Sequence, residues 1–129
     1  MEINIETNKK QEMLDITREI QNYISKNEIK EGVLILRCPH TTAGIFVNES
    51  HDPDVASDIL DILEKLVPED GNYRHVEEGN AHAHIKSVLV GKTAILFVES
   101  GKLQLGTWEG IFFAEFDGPR RRKLQLKLL

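Results

Sequence analysis

Val33-Leu34-Ile35-Leu36, then Arg37-Cys38-Pro39-His40-Thr41-Thr42-Ala43, then Gly44-Ile45-Phe46-Val47, and shortly after them Asp52-Pro53-Asp54: this stretch decides the fold. The first run is continuous, apolar and rich in β-branched residues, as expected of a buried strand. Pro39 interrupts it, and Gly44 to Val47 reads as a neighbouring strand, antiparallel because the connection is short. Asp52 can accept the free amide hydrogens of a helix start, Pro53 suits the first helical position, and Asp54 complements the positive end of the dipole. Val55, Ile59, Ile62, Leu63 and Leu66 then mark one buried face, and Pro68 stops the helix.

Upstream, Ile3 to Thr7 reads as a first strand and Met13 to Ile16 as a short second one. Thr17 can cap a helix whose apolar residues Ile20, Tyr23 and Ile24 recur at helical spacing, and Asn27 to Gly32 ends it. Downstream, residues 69 to 80 form a loop by composition, with Gly71, Asn72, Gly79 and Asn80. A short helix from about Ala81 to Leu89 ends at Gly91. Strands are expected over Thr93 to Glu99, over Thr107 to Phe116 after an irregular Gly101–Gly106 connection, and over Lys123 to Leu128. The order reads ββαββαβββ, an α+β chain and not a βαβ repeat.

The length of 129 residues fits one domain, residues 1–129. Folding at that size buries roughly two-thirds of the unfolded chain's surface. Apolar residues at 40% and charged residues at 29% give the balance of a globular protein. No stretch is long and apolar enough to span a bilayer, so no membrane association is expected. The first residues lack the layout of a secretion signal, and the single cysteine, Cys38, suits a reducing compartment; the cytoplasm is the expected location. A net charge of −5 argues against a nucleic-acid partner. The one basic run, Arg120 to Lys123, reads as a solvated turn leading into a last strand.

Chemistry points to the five histidines, at positions 40, 51, 75, 82 and 84, all in loops or at element ends. Asn48, Glu49 and Asp52 lie near some of them, and Glu77, Glu78 and Asn80 near others. Three imidazoles converging from separate segments leave a fourth zinc position open to water or substrate. His82 and His84 cannot both face one metal from a formed helix, because residues two apart point about 200° away from each other. The spacing alone contains no metalloprotease or paired-cysteine motif. Cys38, at the end of an apolar strand, reads as an inert buried thiol. Gly106-Thr107-Trp108 is either a tight turn that presents the indole to a flat or phosphorylated ligand, or a bend with a core tryptophan.

Four segments together resemble the YjbQ family, the secondary thiamine-phosphate synthase proteins. They are Pro39-His40-Thr41-Thr42-Ala43-Gly44 continuing through Asn48-Glu49 to Asp52-Pro53-Asp54-Val55, then Gly71-Asn72-Tyr73-Arg74-His75, then His84-Ile85-Lys86-Ser87, and Gln104-Leu105-Gly106-Thr107-Trp108. Order and spacing match from about residue 10 to the end. The resemblance implies a β-sandwich-type α+β fold assembled as a homotrimer, with sites near subunit boundaries. Carried over by position, the family's histidines fall on His40, His75 and His84 as metal ligands, which makes His82 a local extra. Asn48, Glu49 and Asp52 match the polar cluster after the second strand of the hairpin, and Trp108 the signature tryptophan. Glu109 stands where the family usually carries glutamine.

The activity so implied is a thiamine-phosphate-synthase-like transfer, joining a pyrimidine methyl diphosphate to a thiazole phosphate with loss of pyrophosphate. Glu49, Asp52 and Trp108 are then the catalytic candidates, Asn48 and Lys86 (with Arg74) the ligand contacts, and a small phosphorylated metabolite the partner. Imidazole donors favour zinc over magnesium as the divalent metal, so a zinc-dependent hydrolysis of a phosphorylated molecule is an alternative. A non-catalytic trimer that binds a metal or an anionic metabolite is another.

Overall fold

The computed structural model describes residues 1–129. Its elements are β1 (Glu2–Glu6), β2 (Glu12–Asp15), α1 (Thr17–Lys26), β3 (Gly32–Arg37), β4 (Ala43–Glu49), α2 (Pro53–Leu66), α3 (Ala81–Val90), β5 (Thr93–Glu99), β6 (Lys102–Gln104), β7 (Glu109–Glu115) and β8 (Arg121–Leu128). A single 3₁₀ turn at Glu77–Gly79 interrupts the loop before α3. The α+β class holds: both helices expected between β4 and β5 are present, so the order ββαββαβββ is one helix short, and the irregular connection after β5 contains the short strand β6.

The strands make two antiparallel sheets, one in the order β1-β8-β3-β5-β6 and one in the order β2-β7-β4. They face each other across one apolar interior. The large sheet contributes Leu34, Leu36, Leu96, Val98, Leu124 and Leu126, and the small sheet Ala43, Ile45, Ile111 and Phe113. Helix α1 packs Ile20 and Ile24 into the same interior. Alternation along each strand produces this division, since every second side chain points the same way.

The expected pairing of the two central strands is corrected. β3 is flanked by β5 and β8, whereas β4 pairs with β7 in the other sheet. With both edges of β3 occupied, the short connection through Pro39 crosses between sheets instead of closing a hairpin.

Helix α2 begins as read: Asp52 Oδ1 accepts the Asp54 amide hydrogen at 2.9 Å, and Pro53 is the first helical residue. Its expected buried face is corrected, because no residue of α2 is buried. Leu60 and Leu63 pack with Met13, Phe46 and Val90 around Ala83, Ala114 and Phe116 on the outside of the small sheet. Three strands are too narrow to cover the rest of the stripe, so Ile62 and Leu66 remain exposed. The cap of α1 differs too: Thr17 lies inside the helix, where its hydroxyl donates to Asp15 (2.6 Å) and accepts from the Ile111 amide (2.9 Å).

The end of α3 lies directly on β4. A Cβ on Gly44 would come within 2.6 Å of the Gly91 carbonyl oxygen, so only glycine permits this approach. The Ser87 hydroxyl donates to the Ala43 carbonyl at 2.6 Å across the same contact. That seat fixes how α3 presents its two polar faces.

Candidate functional site

One face of α3 carries His82 and Lys86, four residues apart and therefore stacked. The Lys86 side chain is 0% exposed. Its three N–H groups go to Gln11 Oε1 (3.0 Å), Glu64 Oε1 (2.6 Å) and His82 Nδ1 (2.9 Å). An ammonium can only donate, so His82 Nδ1 accepts and its proton sits on Nε2. Burial, reinforced by the Lys86 ammonium, holds the His82 pKa below its ordinary value. Burial pushes the Glu64 carboxyl up, but hydrogen bonds from Lys86, the Glu69 amide and Gln11 outweigh it and leave it at about 2. Every donor of Lys86 is thus committed inside the chain. The expected ligand contact at Lys86 does not fit this arrangement.

The other face carries His84. Its ring meets His75, from the preceding loop, edge to face with centroids 5.4 Å apart. His75 is exposed, and its Nε2 lies 3.0 Å from Asn80 Oδ1. Asn80, buried at the start of α3, donates through Nδ2 to Asp117 Oδ2 at 2.9 Å. Arg120 bonds the same oxygen at 3.1 Å. A shallow cavity of about 210 Å³ opens beside His75, lined by Glu69, Asn72, Tyr73 and Ala81 among others. The divergence of His82 and His84 around the helix follows from 3.6 residues per turn.

His40 stays outside this pair. Its Nε2 accepts the Lys123 amide hydrogen at 2.9 Å, so the neutral ring carries its proton on Nδ1 and has no lone pair free for a metal. Burial and then the nearby Arg122 guanidinium hold its pKa low. Three-imidazole coordination therefore does not fit within one chain, and no group of three or more His, Cys, Asp or Glu side chains is close enough to hold an ion.

Behind His40 lies a fully buried ion pair. Arg122 bonds both oxygens of Glu115 and donates to the Thr42 hydroxyl at 2.9 Å, and Thr7 donates to Glu115 at 2.8 Å. Glu115 Oε2 also accepts the Asp117 amide hydrogen at 3.1 Å, tying this pair to the aspartate that holds Asn80. Cys38 is buried with its pKa raised by burial, in keeping with an inert thiol.

The remaining candidates gather elsewhere. Glu49 accepts the amide hydrogens of His51 (2.6 Å) and Asp52 (3.0 Å), while Asp52 caps α2. The Ser50 amide donates to the Trp108 carbonyl at 2.8 Å, and the His51 ring meets the indole edge to face at 5.3 Å. Asn48 is exposed on β4 opposite Gly110. Trp108 is 60% exposed, so the indole is presented and not a core residue. Glu109 accepts the Gly106 amide hydrogen at 2.8 Å and so closes the turn that presents it.

These residues occupy the Glu49 end of β4, whereas Asn80 and Asp117 lie by its Ala43 end. Six residues of strand separate the two by about 20 Å. The candidate residues therefore fall into two separate groups, an imidazole pair and a carboxylate–indole corner. Asp117 escaped the sequence reading, because its partner Asn80 is 37 residues away and no local spacing links them.

A family model described as "UPF0047 protein YjbQ-like" matches residues 1–129. A UPF0047 protein of Methanocaldococcus jannaschii is 50% identical over 97% of this chain and 90% of its own length. The UPF0047 protein YugU of Bacillus subtilis is 45% identical over 98% and 96%. Among solved structures, a YjbQ/UPF0047 family protein of Clostridium acetobutylicum superposes with a TM-score of 0.93 at 46% identity, over 100% of this chain and 99% of that one. An Aeropyrum pernix protein gives a TM-score of 0.93 at 34% identity, over 100% and 96%.

Proposed function

The chain belongs to the UPF0047 YjbQ-like family, and from that premise we propose that it works as a homotrimeric enzyme on a small phosphorylated molecule, at a site centred on His75 and His84. The observation that carries this reading is the edge-to-face imidazole pair at 5.4 Å, beside a cavity and held from behind by Asn80. Two imidazoles in contact can accept a proton at one ring and donate one at the other, and both bind phosphate oxygens when protonated. The transfer that the family resemblance implies and the hydrolysis of a phosphate ester each place a phosphate against that pair. A divalent metal there, zinc before magnesium given nitrogen donors, needs further ligands from a second chain.

Two separate apolar surfaces support the trimer. The outer face of the large sheet exposes Ile95 (64%) and Phe97 (59%), and α3 exposes Val88 (77%) and Leu89 (57%). A cyclic trimer joins two different patches head to tail, and this chain offers two. Val88 lies one turn beyond His84 on the same helix face, so a neighbour that covers it borders the histidine pair. Such a neighbour can bring its carboxylate–indole corner to the imidazole pair.

The test is turnover by purified protein on both substrate classes, phosphate monoesters and the pyrimidine diphosphate–thiazole phosphate pair. His75→Ala and His84→Ala should each lower the rate by about 10²-fold or more. Wild-type protein without turnover on either class, but with saturable binding of a phosphorylated ligand, would replace catalysis with a binding role. Sedimentation should show a trimer that Phe97→Lys dissociates; a stable wild-type monomer at micromolar concentration would end the trimer reading.

A further inference from the structure

We infer that Asn80 and Asp117 are positioning residues that lock His75 with its proton on Nε2, leaving Nδ1 as the atom that meets substrate or metal; this rests on the reading of His75 and His84 as the site. The chain of hydrogen bonds starts at Asp117. Its Oδ2 lies 2.9 Å from Asn80 Nδ2 and 3.1 Å from Arg120. A carboxylate oxygen only accepts, so the amide NH₂ of Asn80 must face it. The flipped amide would place two oxygens against each other at that distance.

With the NH₂ facing Asp117, the Asn80 oxygen faces His75 Nε2 at 3.0 Å. That oxygen has no hydrogen to give. The ring nitrogen must donate, and in the neutral imidazole the lone pair is then on Nδ1. Asn80 is only 5% exposed, so water does not compete freely for either end of its amide. Asp117 is itself held by its backbone amide on Glu115 Oε2 (3.1 Å) and by Arg120 Nε on its carbonyl (2.8 Å). The relay therefore ends on the buried Glu115–Arg122 pair, a rigid anchor beneath an exposed ring. An imidazole steadied through one nitrogen and free at the other is the arrangement that serves a metal ligand or a proton acceptor.

Asp117→Asn tests the relay without removing the histidine. The new amide can donate as well as accept, which frees Asn80 to turn its NH₂ toward His75. Nitrogen-15 spectra of the imidazoles at mildly alkaline pH should show wild-type His75 protonated at Nε2. In Asp117→Asn and in Asn80→Leu the signal should shift toward Nδ1 protonation or an exchanging mixture. Turnover or metal affinity should fall by about 10–100-fold in the same variants. A wild-type ring protonated at Nδ1, or a tautomer mixture unchanged by either substitution, would overturn the inference. Should both variants fail to fold, the wild-type spectrum decides alone. A fixed Nε2–H tautomer in a protein without turnover supports the positioning and defeats only the proposed reaction.

Discussion

The two polar faces of α3 lie on one helix and have opposite characters. Toward α2, Lys86 spends all three of its hydrogens on Gln11, Glu64 and His82. Toward the loop, His75 is fixed through one nitrogen and exposed at its ring. The Arg122–Glu115 pair resembles Lys86 in being buried and tied to its neighbours: Arg122 donates through Nε and Nη2 to Glu115 and Thr42, and Glu115 also accepts from Thr7 and the Asp117 amide. What distinguishes a structural polar group from a site is unspent bonding capacity at the surface, not charge or residue type. His82 and His84 differ by two positions in sequence: His82 is buried, bonded to Lys86 through Nδ1 with no partner at Nε2, whereas His84 is half-buried beside the exposed His75.

Breaking the sealed side should have the largest effect. Arg122→Ala leaves Glu115 charged and buried without its partner, which should cost about 3–5 kcal/mol in denaturant unfolding. Lys86→Ala should cost less, about 2–3 kcal/mol, because Glu64 is 42% exposed and regains water. If Lys86→Ala proved as neutral as a surface substitution, the closed network would not be holding the two helices.

Acid should act on the buried histidines first. Burial holds His40 and His82 below the ordinary histidine value, with Arg122 and Lys86 adding to it. Glu64, Glu69 and Lys10 also face His82. A depressed folded pKa means that the unfolded chain takes up protons first. The stabilisation is therefore complete above about pH 6.5 and is lost as pH falls through the folded values. The unfolding midpoint should drop as pH falls below about 6.5, and His82→Gln should flatten that limb. A flat wild-type profile over that range would contradict the assignment of both rings as buried and neutral.

The open side should give the smallest change in stability. His75→Ala and His84→Ala should unfold within about 0.5 kcal/mol of wild type while removing turnover. Loss of several kcal/mol on either substitution would make the pair a structural contact.

Much of this was legible in the sequence where the cause is local. Asp52-Pro53 announced its helix because capping acts over two or three residues. The continuous, β-branched apolar run of Val33–Leu36 announced a strand, and the helical period separated His82 from His84. Partner choice was not legible: nothing in Val33–Leu36 or Gly44–Val47 states that β3 would take β5 and β8, sending β4 to the other sheet. For the same reason the sequence placed Ile62 and Leu66 on a buried face, although the small sheet is too narrow to cover them. At the site, the matching motifs marked His75 and His84. They also marked His40, whose Nε2 is claimed by a backbone amide 83 positions away. Asn80 and Asp117 join only through the fold.

The most direct measurement follows all five histidine ring signals in one proton–carbon NMR spectrum while pyrophosphate, and then zinc, is titrated into the assembled protein. His75 and His84 should move together and saturate, while His40 and His82 stay in place. An unmoved pair at millimolar ligand, or equal shifts at His40 and His82, would contradict the proposed site.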